Sequence, residues 1–565
     1  MLKKGQLKTL KDIILKKCDE YSENTAFLEK DKKTKEFQGI TYKKLKEDVI
    51  SLSTALSIKY NLLGKKIAII GENSYNWYMS YMAVTTGTGI VVPLDKELPE
   101  NEIINLINRS DAKCIIYSGK KKNAIDSIRS KLPSDILYIS MDKDGKGQDI
   151  ALPDVLEEGK KLVSEGEEWY YNQEISPDDF RILIFTSGTT STSKGVMLCH
   201  RNVISNLDGA TEILKVDVKD RFFSVLPMHH IYEMIVTCMY AIANGSSVAI
   251  CEGLKYISKD IKNTSPTVLV CVPLLVEHIC KRINKTIEEQ KKEKTVKRLI
   301  NITNKMGKIG YALKRAIFSQ IHNSLGGRLK YILVSAAPVE KELINQVEGF
   351  GYVVFQGYGL TETASIVAGT REETRRAGTV GTACNCEIKI DAPKGKDGEI
   401  LVKGNNVMLG YYNDENATKE AIENNWFHTG DIGHFDDKNN LVITGRCKNV
   451  IVTNNGKKIF PEELENEINK IDMVKESMVY GDGEGTNMSV CAIVTLDEEE
   501  LKAFYGDDMP DKKTIKTKIW EGIKAINDKM VSYKAVKNLK VRDKDFEKTT
   551  TMKIKRFLKS NKEEN

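Results

Sequence analysis

Short, continuous apolar runs recur along the first two thirds of the chain, and each is followed by a helical pattern. Residues 66–71 and 89–94 have the length and composition of buried strands, and residues 76–86 between them fit an apolar helix. The same strand–helix–strand rhythm returns at residues 222–227, 231–243 and 245–250. The pattern therefore predicts two similar βαβ lobes.

Two further strands are predicted at residues 267–272 and 331–334, each followed by a helical pattern. Strands that alternate with helices indicate an α/β domain whose sheets are mostly parallel. Such domains bind ligands at the loops that follow the carboxyl ends of their strands. Four loops occupy that position, namely the loop after residue 185 and the turns at 227–230, 335–338 and 357–359. We expect these loops to face one cleft.

The pattern of apolar and polar residues changes from about residue 398, where short strands and polar turns predict a small barrel-like region. Beyond Arg446 a smaller unit of mixed strands and helices continues to residue 565. We therefore predict a large N-terminal α/β domain over residues 1–446 and a small α+β domain over residues 447–565. A sequence of 565 residues exceeds what one hydrophobic core usually holds, which agrees with this division.

The overall charge adds little to this interpretation. Charged residues make up 29% of the sequence, and a net charge of +6 gives no reason to expect a nucleic-acid partner. No apolar stretch approaches the length that spans a bilayer, so we expect a cytoplasmic protein. The eleven cysteines are scattered and mostly lie in apolar segments, which favours reduced thiols over disulfides. We expect no obligate protein partner.

One segment is strongly basic. Residues 281–315 contain twelve Lys and Arg against three Glu, interleaved with Ile, Leu and Tyr. We favour the interpretation that they form a solvated pair of basic helices. The alternative is peripheral contact with an anionic membrane surface, to which such a segment would be attracted electrostatically.

The loop after the apolar run 182–185 carries the clearest chemical signal. It is rich in hydroxyl groups, bracketed by glycines, and contains a single lysine. Backbone N–H groups, hydroxyls and an ammonium can converge there on the oxygens of a polyphosphate. The residues expected to bind it are Thr186, Ser187, Gly188, Thr189, Thr190 and Lys194. Because the lysine precedes its glycine, the loop is not of the Walker type, and taken alone it also fits a solvated linker.

Five more stretches stand out beside this loop. They are Leu-Pro-Met-His-His-Ile-Tyr-Glu at 226–233, Gln-Gly-Tyr-Gly-Leu-Thr-Glu-Thr at 356–363, Trp-Phe-His-Thr-Gly-Asp at 426–431, Thr-Gly-Arg-Cys-Lys-Asn at 444–449 and Lys-Thr-Thr-Thr-Met-Lys-Ile-Lys at 548–555. In this order they resemble the acyl-pocket, adenine and magnesium, ribose, hinge and catalytic-lysine motifs of the adenylate-forming superfamily. The likeness is greatest to its long-chain fatty acyl-CoA synthetases, and it covers nearly the whole sequence.

The resemblance implies two half-reactions. A carboxylate attacks the α-phosphorus of ATP and releases pyrophosphate, with Mg²⁺ on the phosphates, and the thiol of coenzyme A then displaces AMP from the acyl adenylate. It also implies that the small C-terminal domain is mobile and presents two faces in turn. ATP, CoA and a medium- or long-chain fatty acid are the expected substrates. Two alternatives stay open. One is a ligase that loads a carrier protein or activates an aryl or amino acid, and the other is a non-catalytic nucleotide- or acyl-binding protein.

The same resemblance assigns roles around the phosphates. Lys553 is expected to bridge the incoming carboxylate and the α-phosphate. Glu362 is the expected Mg²⁺ ligand, and Thr361 is expected to contact the α-phosphate. The plainer interpretation makes Thr361 a helix N-cap and Glu362 a first-turn acid. Tyr358, followed by Gly359, offers a flat ring for adenine, against the alternative of ordinary core packing.

Further roles concern the ribose, the hinge and the acyl group. Asp431 is expected to accept hydrogen bonds from the ribose hydroxyls, and Arg446 to donate to the ribose or the α-phosphate, although each also suits a surface turn. Lys448 matches the hinge, and Gly456 belongs to the second face, beside the pantetheine tunnel. His230 matches the residue near the substrate carboxylate. It needs no acid–base role, because a carboxylate is already ionised at neutral pH.

Three positions depart from the family pattern. Ser191 stands where glycine is usual, Ser193 where proline is usual, and Met552 where glycine is usual. We expect Ser191 to narrow the choice of backbone angles in the phosphate loop and Ser193 to reduce its rigidity. Met552 affects how closely the lysine loop can approach a ligand.

Overall fold

Strands and helices alternate through most of the sequence, as the apolar runs predict. The computed structural model describes residues 1–142, 149–186, 193–337, 339–452, 457–483, 488–505, 509–548, 554–556 and 558–563. The strands, in chain order, are β1 (Thr25–Lys30), β2 (Phe37–Thr41), β3 (Lys66–Ile70), β4 (Ile90–Leu94), β5 (Ala112–Tyr117), β6 (Leu137–Ser140), β7 (Ile150–Ala151), β8 (Phe180–Thr186), β9 (Lys194–Cys199), β10 (Arg221–Ser224), β11 (Ser247–Ile250), β12 (Val268–Cys271), β13 (Tyr331–Val334), β14 (Val353–Tyr358), β15 (Ala368–Gly369), β16 (Thr382–Ala383), β17 (Glu387–Asp391), β18 (Gly398–Lys403), β19 (Gly410–Tyr411), β20 (Ile422–Glu423), β21 (Trp426–Phe435), β22 (Leu441–Arg446), β23 (Ile451–Val452), β24 (Lys458–Ile459), β25 (Val474–Asp482), β26 (Ser489–Leu496) and β27 (Asn538–Arg542).

The helices fill the intervals between these strands. The α-helices are α1 (Cys18–Glu20), α2 (Tyr42–Thr54), α3 (Tyr75–Ala83), α4 (Glu100–Ser110), α5 (Lys122–Ile128), α6 (Leu152–Ser164), α7 (Trp169–Asn172), α8 (His200–Ile213), α9 (Tyr240–Ala243), α10 (Ile257–Thr264), α11 (Pro273–Glu289), α12 (Glu293–Asn304), α13 (Gly307–Ile317), α14 (Ser319–Ser324), α15 (Lys341–Gly349), α16 (Glu415–Ala421), α17 (Pro461–Ile468), α18 (Glu498–Tyr505) and α19 (Lys512–Asn527). Turns of π-helix lie at Ile13–Lys17, Ala55–Lys59, Val84–Thr88 and Glu233–Met239. Turns of 3₁₀-helix lie at Gly119–Lys121, Arg129–Lys131, Leu254–Tyr256, Thr361–Thr363, Cys447–Asn449, Ser532–Lys534 and Lys559–Lys562.

The first lobe is built on an eight-stranded sheet. Its order is β19-β9-β8-β4-β3-β5-β6-β7, and the strands from β8 to β7 are parallel, while β9 and β19 are antiparallel additions. β3 and β4 are buried along almost their whole length, as expected of strands that helices cover on both faces. The helix between them starts after Ser74, whose hydroxyl accepts a hydrogen bond from the Trp77 N–H at 3.1 Å.

The second lobe is built on a nine-stranded sheet. Its order is β16-β15-β14-β13-β12-β10-β11-β1-β2, and the central strands from β14 to β1 are parallel. The prediction of two βαβ lobes in a mostly parallel α/β domain is therefore confirmed. The strand predicted at 222–227 is shorter, since β10 ends at Ser224. The chain turns there because Asn73 engages the next residues, accepting from the Met228 N–H at 2.9 Å and donating to the Leu226 carbonyl at 2.7 Å.

The remaining sheets are smaller. β17, β18, β21 and β20 lie in that order, with β22 paired to β21, and they make up the region predicted to be barrel-like. β23 and β24 form a two-stranded pair, and β25, β26 and β27 form a three-stranded sheet in which β26 and β27 are parallel. α17 and α19 pack on this last sheet through a core that includes Leu464, Ile519 and Val494.

Contacts divide the chain into two compact units. The first unit consists of Met1–Thr186, Lys194–Ile388 and Val402–Phe427, and the second contains Lys389–Leu401 and the described residues from His428 onward. A large and a smaller unit are thus present, as predicted. Asp431 and Arg446 belong to the second unit. The boundary between residues 446 and 447 stays a prediction.

Residues 281–315 span the end of α11, all of α12 and most of α13, so they form three helices rather than the expected pair. Three apolar side chains on these helices are 39–49% exposed, namely Ile302, Met306 and Leu313. In the part of the chain that the structure describes, no helix is both long and apolar enough to cross a bilayer. The eleven cysteines all lie in described segments, and none is in a disulfide.

Candidate active site

A lysine, a tyrosine and a glutamate meet in the first unit. Lys194 begins β9, and β19 pairs with β9 so that Tyr411 lies opposite Val196. The Lys194 Nζ lies 4.5 Å from the centroid of the Tyr411 ring, and the Tyr411 hydroxyl donates to Glu362 Oε1 at 3.1 Å. One phenol ring therefore connects the lysine of the predicted phosphate loop to the carboxylate of the predicted magnesium motif. We call these three residues the Lys194–Tyr411–Glu362 cluster.

The electrostatics of the cluster keep Tyr411 protonated. Burial raises the pKa of the Tyr411 hydroxyl, and the neighbouring Glu362 carboxylate raises it further. The hydroxyl therefore remains a hydrogen-bond donor to Glu362 at neutral and mildly alkaline pH. The ring face towards Lys194 offers its ammonium a cation–π contact, which is worth about 0.5–2 kcal/mol depending on how dry the site is.

Glu362 is held by the backbone of a short 3₁₀ turn, Thr361–Thr363. The Thr363 hydroxyl accepts from the Leu360 N–H at 3.0 Å, and the Glu362 carbonyl accepts from the Met408 N–H at 2.8 Å. The turn begins at Thr361, with Leu360 in the cap position, so the interpretation of Thr361 as an N-cap is wrong.

The structure describes only part of the predicted phosphate loop. The Thr186 hydroxyl donates to the Lys194 carbonyl at 3.4 Å, and Thr186 pairs with Lys194 across the antiparallel β8–β9 ladder. The two ends of the loop are therefore side by side. Other predicted binding residues lie outside the described segments, namely Ser187, Gly188, Thr189, Thr190, Gly456 and Lys553.

Tyr358 and Gly359 follow the parallel strand β14. Tyr358 is only 9% exposed, and its backbone pairs with Ala368 of β15. It contributes to a small cavity whose lining is mainly apolar, with Tyr232, Val236, Leu333 and Phe355 among the other lining residues. The volume of the cavity is about 20 Å³, which is room for about one water molecule.

Gly359 is required by a close backbone contact. A Cβ at this position would lie 1.3 Å from the Ser365 carbonyl oxygen, whereas a Cβ at Gly357 would lie 3.7 Å from its nearest neighbour, the Ala368 carbonyl oxygen. We expect Gly359→Ala to lower the free energy of unfolding by about 3 kcal/mol, since the backbone must shift to relieve the clash. Gly357→Ala is the matched control and should be nearly neutral. Thermal denaturation followed by circular dichroism should show a lower melting temperature for Gly359→Ala, and equal melting temperatures for the two variants would contradict this account.

The two histidines of the acyl-pocket motif lie in the turn before the helical run that starts at Ile231. The His230 N–H donates to the Pro227 carbonyl at 3.0 Å. The centroids of the His229 and His230 rings are 4.0 Å apart. Burial lowers the pKa of His229 to about 3, with a smaller effect from Lys96, so His229 is neutral at physiological pH. His229 is buried in the interior, whereas the role of His230 near a substrate carboxylate stays a prediction.

Asp431 and Arg446 are cross-strand neighbours in the second unit. They pair directly in the β21–β22 ladder, and the Arg446 Nε donates to Asp431 Oδ1 at 2.6 Å. Asp431 is almost fully buried, and its N–H donates to the Thr429 hydroxyl at 3.0 Å. Gly430, the preceding residue of β21, has a φ of 70°. The sequence predicted the two residues for the same nucleoside, and the structure brings them together.

Lys448 lies in the 3₁₀ turn Cys447–Asn449, directly after β22. The next residue anchors this turn, because the Asn449 Nδ2 donates to Glu462 Oε1 of α17 at 2.6 Å. The predicted hinge therefore lies directly after β22, and a hydrogen bond connects it to α17.

Sequence reasoning missed Tyr411. Its partner Glu362 is 49 residues away, so no local spacing relates the two. The sequence offers only a weak signal for this residue, a glycine followed by two tyrosines at positions 410–412. In the structure Gly410 has a φ of 144°, which few other residues adopt.

Glu362 can serve as a magnesium ligand. Its Oε1 accepts from Tyr411, and Mg²⁺ typically takes one or two protein carboxylates and completes its shell with water and phosphate oxygens. Among the described residues, no group of three or more His, Cys, Asp or Glu is arranged to hold a metal ion by itself. A single carboxylate beside the lysine of the predicted phosphate loop fits an ion that arrives with a nucleotide.

Two lobes of mostly parallel sheet, followed by a smaller α+β unit, form the architecture of adenylate-forming enzymes. The family model for AMP-binding enzymes matches residues 15–412, and the model for the AMP-binding enzyme C-terminal domain matches residues 448–562. The chain belongs to the AMP-binding enzyme family.

Several named relatives are similar to this chain. The peroxisomal long chain acyl-CoA synthetase 6 of Arabidopsis thaliana is 31% identical over 478 residues, which cover 79% of this chain and 67% of the relative. Long-chain-fatty-acid–CoA ligase 5 of Rattus norvegicus is 27% identical over 585 residues, which cover 95% of this chain and 84% of the relative. These relatives are long-chain fatty acid–CoA ligases.

Solved structures share the fold. The anthranilate CoA ligase AuaEII in complex with anthranoyl-AMP superposes with a TM-score of 0.75 at 18% identity, covering 97% of this chain and 96% of that one. ATP-bound MatB from Rhodopseudomonas palustris gives a TM-score of 0.74 at 21% identity, covering 97% of each chain. This chain therefore shares its fold with both solved structures.

Proposed function

We propose that this protein joins a medium- or long-chain fatty acid to coenzyme A, with cleavage of ATP to AMP and pyrophosphate. In the first half-reaction the fatty carboxylate attacks the α-phosphorus, the bond to the bridging oxygen breaks, and pyrophosphate leaves. In the second, the CoA thiol loses its proton and attacks the acyl carbon, and AMP leaves. The Lys194–Tyr411–Glu362 cluster carries the proposal, because it gathers a cation and a metal-binding carboxylate beside the phosphate loop.

The first half-reaction must overcome repulsion between two anions. A carboxylate about 4 Å from a phosphate charge is repelled by roughly 4 kcal/mol at an effective dielectric constant of 20. The Lys194 ammonium would offset this charge on the β- and γ-phosphates, and Lys553 would offset it at the α-phosphate, where bonds change. Thr361, next to Glu362, would contact the α-phosphate.

Glu362 would hold Mg²⁺, with Tyr411 orienting the carboxylate through its hydrogen bond. The ion would supply positive charge to the phosphate oxygens. The contribution of the protein is to hold the carboxylate in the orientation that the hydrogen bond from Tyr411 sets.

Other residues would hold the nucleoside. Each carboxylate oxygen can accept more than one hydrogen bond, so Asp431 would accept from the ribose hydroxyls in addition to Arg446. Arg446 would donate to the ribose or the α-phosphate. Tyr358, followed by Gly359, would offer its ring to adenine.

The apolar cavity beneath Tyr358 is the entry that we propose for the acyl chain. Its lining by Tyr232, Val236 and Phe355 suits a hydrocarbon, and the names of the relatives support a long one. The present volume of about 20 Å³ holds only a water molecule, so these side chains must move aside for a fatty acid. His230, in the adjoining motif, would lie near the substrate carboxylate.

The second half-reaction needs room for pantetheine. We propose that the chain turns at Lys448, so that the small C-terminal domain that follows it withdraws Lys553 and presents a different face that includes Gly456. This division of labour explains why one small domain serves two steps.

Cytoplasmic location and peripheral membrane contact through residues 281–315 stay predictions. The exposed Ile302, Met306 and Leu313 among many cations support the membrane contact, since such a surface gains from both apolar insertion and anionic lipid. Sedimentation with vesicles that contain anionic lipid, compared with neutral vesicles, tests it.

The acceptor of the acyl group can be tested directly. Purified protein given ATP, Mg²⁺ and palmitate should form palmitoyl-CoA when CoA is added and no acyl carrier protein conjugate when a carrier protein replaces CoA. Mass spectrometry of both products checks this. Transfer to the carrier protein alone would favour the alternative of a carrier-loading ligase.

A further inference from the structure

The residues on either side of the predicted catalytic lysine are fixed to the body of the second unit. Lys548 and Ile554 form an antiparallel bridge, and the Lys555 N–H donates to the Glu547 carbonyl at 2.9 Å. Ile554 packs against a small core that contains Met478 and Phe546. Lys548, Ile554 and Lys555 are therefore fixed to the body of the second unit.

The strongest of these attachments is made by Arg556. Its guanidinium donates to both carboxylate oxygens of Glu465, at 2.7 Å to Oε1 and in a shorter contact to Oε2, and to the Val479 carbonyl at 3.2 Å. Glu465 is 7% exposed and also accepts from the Val479 N–H at 2.5 Å. A bidentate pair of this kind fixes orientation as well as distance.

Burial raises the pKa of Glu465, and Arg556 opposes that effect. Arg556 thus provides a positive charge that opposes protonation of this buried carboxyl group. Without Arg556, the Glu465 carboxylate would be buried without the positive charge that its partner supplies.

The same helix also holds the hinge segment. Glu465 lies on α17, and Glu462, one turn earlier, accepts from the Asn449 Nδ2 at 2.6 Å. The Arg556 guanidinium is 3.9 Å from Glu462 Oε1. A Cβ at Gly445 would lie 2.9 Å from the Phe460 ring and 3.1 Å from Glu462 Oε2, so the start of α17 packs closely on the chain that leads into the hinge.

We infer that Arg556 is a positioning residue for Lys553 and that α17 links the lysine segment to the hinge segment, so that the two move as one piece. One end of this link is the Arg556–Glu465 pair, and the other is the Glu462–Asn449 hydrogen bond. A rotation of the backbone at the hinge then moves Lys553 together with α17, and the segment that carries the lysine does not bend. The inference rests on the proposed function, in which Lys553 acts on the α-phosphate.

The test is a double-mutant cycle on single-turnover formation of acyl adenylate. Arg556→Gln should slow this step about 10- to 100-fold at unchanged KM for ATP and fatty acid, because a misplacement of about 1 Å can cost that much. Thioester formation from supplied acyl adenylate should change less than about threefold. In the Lys553→Ala background, Arg556→Gln should have no further effect on adenylation, because the residue that it positions is already gone.

The link to the hinge has its own cycle. Asn449→Ala should slow adenylation, and its effect combined with Arg556→Gln should be smaller than the product of the two single effects. Additive free energies in this pair would overturn the link through α17. Arg556→Lys, which keeps the charge but not the bidentate geometry, should recover part of the rate and guards against a misfolded Gln variant.

The outcomes separate this inference from the proposed function. If Lys553→Ala leaves adenylation unchanged, the role of the lysine fails. If Lys553→Ala abolishes adenylation but Arg556→Gln does not slow it, or slows it equally in both backgrounds, the positioning role of Arg556 fails. Equal loss of both half-reactions in Arg556→Gln and Arg556→Lys, with a lowered melting temperature, would assign Arg556 to stability alone and overturn the inference.

Discussion

Replacing Lys553 with alanine is expected to slow acyl-adenylate formation by about 10²–10³-fold or more, since a charge placed where the transition state develops its own charge is typically worth that much. The same variant should convert supplied acyl adenylate and CoA into acyl-CoA at nearly the normal rate. The reason is that, in the proposed mechanism, the lysine serves the α-phosphate in the first half-reaction and is withdrawn in the second. Rapid-quench measurement of each half-reaction separates the two steps.

The neighbouring lysine provides the matched control. Lys555 is two residues further on, and its hydrogen bond to the Glu547 carbonyl is made by its backbone N–H, so Lys555→Ala removes a cation without disturbing that contact. It should leave both half-reactions within about twofold of the parent rates. Equal losses in the two half-reactions of Lys553→Ala, or an equal defect in Lys555→Ala, would show that general positive charge matters and not one positioned ammonium.

Replacing Glu362 with glutamine is expected to raise the Mg²⁺ concentration for half-maximal adenylation by about 10- to 100-fold. The amide keeps the shape of the side chain but lacks the negative charge that a hard cation requires. Titration of the pyrophosphate-release rate with Mg²⁺ at saturating ATP measures this shift.

Tyr411→Phe is the control for geometry. It removes only the hydrogen bond to Glu362 Oε1 and keeps the aromatic face towards Lys194. The loss of one such bond is worth about 1 kcal/mol, so adenylation should slow about fivefold. A Mg²⁺ response in Glu362→Gln that equals that of the parent would refute the assignment of Glu362 as the metal ligand.

The fold was predictable where burial dictates sequence. β3, β4 and β13 are covered on both faces, so their sequences are continuous apolar runs, and the predicted strand at 331–334 matches β13 at both ends. The end of β10 was not predictable, because Asn73, some 150 residues earlier, ends that strand through two hydrogen bonds. The π-helical turn at Glu233–Met239 likewise leaves no signature in the apolar pattern.

The candidate site was predictable as motifs but not as geometry. Lys194 and Glu362 were identified from their own stretches of sequence, whereas the ring that connects them comes from β19, a two-residue strand with little pattern of its own. The need for glycine at position 359 arises from the Ser365 carbonyl, which only the folded chain brings close. The support of Arg556 by α17 is equally non-local, since Glu465 is 91 residues away.

The most direct measurement is pyrophosphate release from ATP across a series of saturated fatty acids, with and without Mg²⁺ and CoA. Release should require the fatty acid and Mg²⁺, should rise towards medium or long chains, and should be a single burst without CoA and continuous with it. Release that depends on an aryl or amino acid but not on a fatty acid would contradict the proposed substrate. No release with any carboxylic acid would contradict the account as a whole and favour a protein that binds nucleotide without reacting.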